Sequence, residues 1–299
     1  MDIISSHQSG FVNMIGNPNA GKSTLMNRLV GEAVSVITAK AQTTRHRIKG
    51  IVNGEHYQIV YSDLPGILTP VYKMQEMMMH LVNESLLDAD LLLYVAEYND
   101  TRFDEHIIAK INQLTIPVIL VVNKIDLADR DKVEDFTCYW QALLPRAEGV
   151  AVSAKKGIGI EILQQKIIEK LPISPPYFPK EDEAFSDRST RFFTAELIRE
   201  QILLLYQKEI PYSVEVEITD FKEDKNIVRI SATLHVERES QKAILLGHKG
   251  IAIKQLGIQS RQSIEQFLGN KVYLELSVKV CKNWRDSDLM MKRFGYDER

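Results

Sequence analysis

The sequence predicts a three-layer α/β domain with a mostly parallel sheet and helices on both faces, joined to a smaller α+β domain. Three observations carry that expectation. Uniformly apolar runs at residues 11–15, 59–62, 91–96, 118–122 and 150–152 alternate with helical patterns up to about residue 171. Strands of that kind are buried on both faces, as in a parallel sheet covered by helices. Residues 171–179 then place four prolines in nine positions, which neither a helix nor a central strand accommodates. Beyond this linker the grammar changes. An amphipathic helix at 191–207 is followed by apolar residues that alternate with polar ones at Val214, Val216, Ile218 and at Val228, Ile230, Ala232, Leu234, Val236, the period of a hairpin with one buried face. A polar turn at 220–226, a short helix from Ser240, a second helix to about Leu268 and a last strand at 272–280 give the order α-β-β-α-α-β. The expected division is a first domain at 1–172, a linker at 173–187 and a second domain at 188–299.

Each element of the first domain sets up a piece of chemistry. The strand at 11–15 leads into Gly16-Asn17-Pro18-Asn19-Ala20-Gly21-Lys22-Ser23, and a helical pattern follows from Ser23 to Leu29. This is the G-x-x-x-x-G-K-[ST] loop in the strand-before, helix-after context that the phosphate cradle requires. Its backbone N–H groups point at phosphate, Lys22 neutralises β and γ oxygens, and Ser23, next to Thr24, offers a hydroxyl to Mg²⁺. A nucleoside triphosphate is the expected ligand.

The strand at 57–62 ends in Asp63-Leu64-Pro65-Gly66, which places a carboxylate beside the Mg²⁺ water shell and a glycine N–H where it meets the γ-phosphate. Thr43-Thr44 lies in the polar stretch before that strand, and a Thr44 hydroxyl reaches Mg²⁺ only when the γ-phosphate is present. Ser23 and Thr44 are thus the expected metal ligands, and Lys22, Thr44, Asp63 and Gly66 the residues expected to carry catalysis. The next residue is Ile67, where Ras-like proteins carry a water-orienting Gln. An aliphatic side chain cannot do that, so slow hydrolysis completed by a partner or a cation is expected.

The apolar strand ending at Val122 leads into Asn123-Lys124-Ile125-Asp126, at the strand end where this fold binds ligands. The Asp126 carboxylate matches the two donors of guanine, and adenine offers no such pair. A site built around one base rejects another by roughly 10⁴–10⁵. Ser153-Ala154-Lys155, after the last strand of the domain, is positioned to buttress the base. The expected cofactors are therefore GTP or GDP with Mg²⁺, and Asn19 is a candidate ligand for K⁺.

Composition bounds the rest. The chain has 299 residues, 44% of them apolar, and a formal charge of −3, enough for two ordinary cores and not the balance of a disordered chain. No apolar run approaches the ~18 residues of a membrane span, and the first ten residues lack the pattern of a signal peptide. The expected location is cytoplasmic, with peripheral attachment to the inner face of the membrane through basic residues as the remaining membrane reading. The expected state is a monomer. Cys138 and Cys281 are too far apart to indicate a zinc site or a disulfide framework and read as packing residues. Met74, Met77, Met78 and Met79 read as core filling at helical spacing, with a soft partner surface as the other reading. His7, His46, His56, His80 and His106 read as solvated.

In the second domain Gly247-His248-Lys249-Gly250 falls between two helices. With 15 glycines in the chain, a G-x-x-G spacing arises by chance roughly 0.75 times, so the weight lies in its position. It opens the second helix at its positive end with a lysine inside the loop, which suits a single-stranded nucleic-acid backbone. Residues 240–299 carry 11 Lys/Arg against 6 Asp/Glu, a net of +5, while the remainder of the chain is −8. The candidate RNA contacts are Gly247, His248, Lys249, Gly250, Lys254 and Arg261.

Along essentially its whole length the chain resembles the Era family of bacterial ribosome-assembly GTPases. The resemblance is carried by the loop at 16–23, Ala41-Gln42-Thr43-Thr44-Arg45, Asn123 to Asp126, Ser186-Asp187-Arg188-Ser189 with Arg191-Phe192, and Pro211-Tyr212-Ser213-Val214. Gly247-His248-Lys249-Gly250 with Ile253-Lys254-Gln255-Leu256-Gly257 and Leu274-Glu275-Leu276 extend it. It implies a P-loop GTPase domain followed by a type II KH domain, a client at the 3′ end of small-subunit ribosomal RNA, and a part in maturation of the assembling small ribosomal subunit. One departure is Leu64, where the family usually has Thr. Two readings follow: a GTP-hydrolysing switch that controls RNA engagement, or a constitutive RNA-binding protein in which GTP is structural. Intact Lys22, Ser23, Thr44 and Asp63 favour the switch.

Overall fold

The computed structural model describes residues 7–38, 40, 42–180 and 185–296. Residues 1–6, Ala41 of the Ala41-Gln42-Thr43-Thr44-Arg45 stretch, residues 181–184 of the linker, and Asp297, Glu298 and Arg299 lie outside the described residues. By contacts the chain divides into two units, one of residues 1–70 and 78–187, the other of residues 71–77 and 188–299.

In the first unit the chain runs β1 (Gln8–Ile15), α1 (Lys22–Val30), β2 (Ile48–Asn53), β3 (Tyr57–Asp63), α2 (Lys73–Ser85), β4 (Leu91–Glu97), α3 (Glu105–Gln113), β5 (Val118–Asn123), α4 (Arg130–Leu143), β6 (Glu148–Ala151) and α5 (Ile160–Lys170). The start of α2 falls in the 71–77 segment. The sheet order is β2-β3-β1-β4-β5-β6, parallel except that β2 runs antiparallel to β3. Leu92, Tyr94 and Ala96 of β4 and Leu120 and Val122 of β5 share a core with Val82 of α2 and Leu86 just after it, Ile107, Ile108 and Ile111 of α3, and Val133, Phe136 and Trp140 of α4. The intervening Leu91, Leu93, Val95, Ile119 and Val121 are equally buried, and α1 packs on β2, β3 and α5. Burial on both faces is why these strands read as unbroken apolar runs.

Strand β2 is the element the apolar pattern does not reveal. Its sequence, Ile-Lys-Gly-Ile-Val-Asn, is mixed because it is the last strand of the sheet, with only an isolated bridge at Gly50–Ser186 beyond it, so one face is less covered. The proline-rich segment is also more ordered than a tether. The Ser9 N–H donates to Pro172 O at 3.1 Å and the Ser174 N–H to His7 O at 3.0 Å. Gln58 then accepts the Tyr177 and Phe178 N–H groups and donates to Phe178 O. Further on, the Ile51 N–H donates to Phe185 O at 2.9 Å, so residues 172–180 lie against β1 and β3 and residues 185–187 against β2.

The second unit contains α6 (Thr190–Leu205), the one-turn α7 (Ile210–Ser213), β7 (Glu215–Asp224), β8 (Ile227–Val236), α8 (Glu239–Leu246), α9 (Ile251–Leu268), β9 (Val272–Val280) and α10 (Asp288–Arg293). The Ser189 hydroxyl caps α6 by accepting the Phe192 N–H. Strand β8 is central, antiparallel to β7 and parallel to β9. Ile198 and Ile202 of α6, Leu245 of α8 and Leu256 and Ile264 of α9 pack on Val216, Val228, Ile230, Ala232, Leu234 and Val236. The hairpin differs from the expected 220–226 turn. A register shift between Ile218 and Asp220 lets pairing continue to Asp224 opposite Ile227, leaving only Lys225 and Asn226 as the turn. A bulge of this kind moves polar residues into the ladder without breaking it.

Helices α7 and α10 are too short to announce themselves by periodicity. Near α10, Trp284 is fully buried and its indole N–H donates to Ser213 O at 3.1 Å, while the Tyr296 hydroxyl donates to Glu215 Oε2 at 2.7 Å. Some single-residue expectations change as well. Cys138 is exposed rather than packed, and His46 is buried rather than solvated. Met74 and Met78 are fully buried, the core-filling reading of that stretch.

Candidate functional site

The sheet order makes the site. From β1 the chain goes to β3 on one side and to β4 on the other, and open α/β sheets bind ligands outside the carboxyl ends of their strands at such a switch point. A cavity of about 470 Å³ lies there. Its lining includes Pro18, Asn19, Gly21, Lys22, Ser23 and Thr24, together with Thr43, Thr44, Leu64, Gly66 and Lys124. The loop after β1 and the segment after β3 meet because their strands pair with Met14 opposite Asp63.

Two glycines allow this approach. Gly21 sits at φ 92°, and a Cβ there would lie 2.3 Å from Asn123 Nδ2. At Gly66 a Cβ would lie 2.7 Å from the backbone of Pro18. No side chain fits at either position without separating the phosphate loop from the segment it touches.

At the floor of the cavity Lys22 and Asp63 are both buried. Lys22 Nζ donates to Gly16 O at 3.0 Å and to Asn17 O at 2.9 Å. Burial lowers the ammonium to about 8, opposed by the Asp63 carboxylate. Burial likewise pushes the Asp63 carboxyl up from its ordinary value, opposed by the Ser23 hydroxyl, Lys22 and Thr44. Ser23 Oγ donates to Asp63 Oδ2 at 2.7 Å, Thr44 Oγ1 lies 3.1 Å from the same oxygen, and the two hydroxyls are 3.0 Å apart. Asp63 Oδ1 is buried without a hydrogen-bond partner among the described residues. Two hydroxyls and a carboxylate with a spare lone pair are hard oxygen donors, the set that suits Mg²⁺. Each buried polar atom left without a partner costs about 1–3 kcal/mol, so the arrangement favours a cation.

The base end is held by Asn123, which bridges two loops. Its Nδ2 donates to Ala20 O at 2.9 Å and its Oδ1 accepts the Ala154 N–H at 3.0 Å. Lys124 takes a left-handed φ of 64° and pairs with Glu97 at 2.8 Å. Asp126 is exposed, and the buried Ser153 hydroxyl donates to its Oδ1 at 2.5 Å. The Lys155 carbonyl accepts from Arg28 Nη2 at 3.1 Å and the Ala154 carbonyl from Arg28 Nε at 3.2 Å.

Two expected nucleotide contacts need correction. Ile67 turns into the core with Leu64 and Val82, and its N–H donates to Gly16 O at 3.1 Å, so neither group faces the cavity. The Leu64 side chain is likewise in that core, which accounts for an apolar residue there. The Asn17 carboxamide turns away from the phosphate loop, donating to Asp100 Oδ2 and to Arg102 O, and leaves only its backbone for phosphate. Arg28, Glu97 and Arg102 had no motif to mark them. Glu97 and Arg102 line the cavity, and the one available signal was the position of Glu97 at the end of β4.

In the second unit the 247–250 segment is a tight turn between α8 and α9, with Lys249 at φ 49° and Gly250 at φ 78°. His248 and Lys249 are exposed. Lys254 and Arg261, seven residues apart, share one exposed face of α9.

A family model described as a 50S ribosome-binding GTPase matches residues 11–124, and one described as a KH domain matches residues 209–285. GTPase Era of Syntrophus aciditrophicus is 41% identical over 97% of this chain and 96% of its own length. GTPase Era of Caldanaerobacter subterraneus is 40% identical over 97% and 98%. The chain is similar to a crystal structure of Era with MgGDPNP and nucleotides 1506–1542 of 16S ribosomal RNA, with TM-score 0.92, 36% identity and coverage of 97% of this chain and 99% of that one. It is similar too to a variant of Aquifex aeolicus Era bound to GDP and AlF₄⁻, with TM-score 0.91 and 36% identity over the same shares.

The exposed Asp126 carboxylate generates a direct test of base choice. Asp126→Asn should shift preference from guanine to xanthine nucleotides, whose C2 carbonyl suits the amide, in competition binding of GTP, XTP and ATP. Wild-type affinity for ATP within about tenfold of GTP contradicts the assignment.

The lowered Lys22 ammonium gives a pH signature. Phosphates raise its pKa on binding, so affinity is full below about pH 8 and falls as pH rises through the pKa of the complex. Calorimetry of GDP binding in buffers of different ionisation enthalpy should find proton uptake small near pH 7 and rising toward one per nucleotide above pH 8. Absence of uptake at about pH 8.5 contradicts a buried, partly neutral Lys22.

Proposed function

The chain belongs to the Era family of GTPases, and on that premise we propose that it is a switch that binds and hydrolyses GTP, engages the 3′ end region of small-subunit ribosomal RNA through residues 188–299, and assists maturation of the small ribosomal subunit in the cytoplasm. The observation that carries this reading is the convergence of Ser23, Thr44 and Asp63 within hydrogen-bond distance of one another beside Lys22. A purely structural nucleotide site has no use for a hydroxyl from the 33–47 segment that senses the γ-phosphate. The Era relative crystallised with MgGDPNP and 16S ribosomal RNA supports both halves of the proposal.

In this mechanism the N–H groups of the 16–23 loop and the Lys22 ammonium hold the β and γ phosphates, with Gly66 at the γ end. Ser23 and Thr44 would hold Mg²⁺, with Asp63 beside them, and the ion supplies charge neutralisation at the phosphates. Asp126 selects guanine, with Ser153 and Ala154 bracing it. Ile67, turned into the core, orients no water. Catalysis therefore relies on preorganised charge and on what a partner or cation adds.

RNA rather than a membrane is the proposed occupant of the 247–250 turn. No helix among the described residues is long and apolar enough to cross a membrane, and the turn presents one lysine and one histidine at the positive end of α9, which suits a phosphodiester strand. Replacing His248 and Lys249 by Asp should collapse binding of an oligonucleotide matching the small-subunit 3′ end while GTP binding stays intact. Wild-type RNA affinity in that variant would remove the turn from the RNA site.

Asn19, at φ 65° on the cavity wall, is the proposed K⁺ ligand, the cation standing in for an arginine finger. Turnover should be several-fold faster in KCl than in NaCl at equal ionic strength, and Asn19→Gly, which tolerates that φ, should abolish the difference with GDP binding retained. Equal rates in both salts at saturating GTP and Mg²⁺ would leave hydrolysis dependent on a protein or RNA partner.

A further inference from the structure

Two of the buried polar atoms in the first unit lie in one place with nothing bonded to them. Asp63 Oδ1 and Ser35 Oγ are both buried and have no hydrogen-bond partner among the described residues. They are neighbours: burial raises the Asp63 carboxyl, and the Ser35 hydroxyl is among the groups that oppose the rise, with Ser23, Lys22 and Thr44. Ser23 and Thr44 meet the other oxygen, Oδ2. Ser35 is close enough to be felt by the carboxylate, yet the two open atoms do not close a bond with each other. Buried polar atoms are rarely left in that condition unless a ligand completes them.

Helix α1 delivers Ser35 to this position. Asn27 Nδ2 donates to Ser35 O at 2.7 Å, and Asn27 Oδ1 accepts the Ser35 N–H at 2.8 Å. One carboxamide thus takes both backbone groups of the residue. Ser23 and Asn27 are four residues apart on α1, so they share a face of the helix. The residue clamped by Asn27 is therefore presented to the same carboxylate that Ser23 holds. Just beyond it, Val36, Ile37 and Thr38 line the nucleotide cavity.

This anchoring separates Ser35 from Thr44. Thr44 lies beyond those residues, and its place beside Mg²⁺ depends on the γ-phosphate. Ser35 is fastened to the helix that begins at Lys22 and Ser23, whichever nucleotide is bound. Mg²⁺ binds few protein ligands and keeps several waters. A bound water has its lone pair committed to the cation and two O–H groups to donate. A carboxylate oxygen and a hydroxyl oxygen with free lone pairs are acceptors for both.

We infer that Ser35 is a positioning residue for the metal, its hydroxyl and Asp63 Oδ1 together holding one Mg²⁺-bound water with GDP as well as with GTP. This rests on the reading of Ser23, Thr44 and Asp63 as the Mg²⁺ site and adds to it a residue that no motif marks.

The test loads the full chain with a fluorescent GDP or a fluorescent non-hydrolysable GTP analogue and follows nucleotide release across a Mg²⁺ titration. In Ser35→Ala the Mg²⁺ concentration that half-maximally slows release should rise about 10–100-fold with both nucleotides, the usual effect of losing an outer-shell partner. In Thr44→Ala it should rise with the GTP analogue alone. Nucleotide affinity of Ser35→Ala in EDTA should match wild type, because both Asn27 bonds go to the backbone and survive the substitution. Ser35→Cys, which keeps the bulk but accepts hydrogen bonds only weakly, should behave like Ser35→Ala and so exclude a packing effect.

Unchanged Mg²⁺ dependence in Ser35→Ala overturns the assignment. An equal loss of affinity in EDTA overturns it too, since it marks a serine that serves only the fold. A shift confined to the GTP analogue removes the hold in the GDP state and with it the distinction from Thr44. If Mg²⁺ slows release of neither nucleotide from the wild type, the metal-site reading itself fails, whatever Ser35 does.

Discussion

Everything in the first unit depends on burying an ammonium and a carboxylate together at the ends of two adjacent parallel strands. The pairing of β1 with β3 puts Asp63 level with Met14, and the phosphate loop then carries Lys22 back to Gly16 O and Asn17 O. Desolvation acts on both charges, lowering Lys22 to about 8 and raising Asp63. Mutual attraction only partly offsets that cost, and breaking a buried pair by removing one partner typically costs about 3–5 kcal/mol. A polyanion with its own cation relieves both strains at once. The site is in this sense prepared for a metal-nucleotide complex.

The second unit answers a different physical problem, presenting positive charge without collapsing it onto its own acids. Arg293 and His235 both bind Glu217, and Arg285 binds Glu237. Arg285 and Arg293 serve the fold, since they fasten the segment around α10 to Glu237 and Glu217. On the exposed face of α9, Lys254 and Arg261 have no ion-pair partner among the described residues. Net charge alone did not separate them, because +5 over residues 240–299 counts Arg285 and Arg293 together with Lys249 and Arg261.

Much of this was legible in the sequence, for a reason that particular residues make plain. Gly16 to Ser23, Asp63 to Gly66 and Asn123 to Asp126 are contiguous motifs at strand ends, where chain order and spatial order coincide. The central strands were legible because burial on both faces writes an apolar run. Strand β2 was not, because Lys49 and Gly50 at a sheet edge interrupt such a run. The length of the hairpin turn was not legible, because a bulge near Thr219 carries the polar residues Asp220 to Asp224 into the ladder, and a polar run of that kind has the pattern of a loop. Arg28, Glu97 and Arg102 reach the site one residue at a time from α1, β4 and the loop after it, with no local pattern to mark them. Ile67 shows the converse, a residue adjacent to the motif whose side chain belongs to the core.

The central claim is that nucleotide state, sensed where Thr44 meets Ser23 and Asp63, governs RNA engagement by the second unit. The most direct measurement is the affinity of the full chain for an RNA matching the small-subunit 3′ end, taken once with Mg²⁺ and a non-hydrolysable GTP analogue and once with Mg²⁺ and GDP. The account predicts tighter binding with the analogue, by about the 5–150-fold that a coupling of 1–3 kcal/mol provides, and loss of that difference in Thr44→Ala. Equal affinities in the two nucleotide states would contradict it and leave a constitutive RNA-binding protein that carries GTP as a structural ligand.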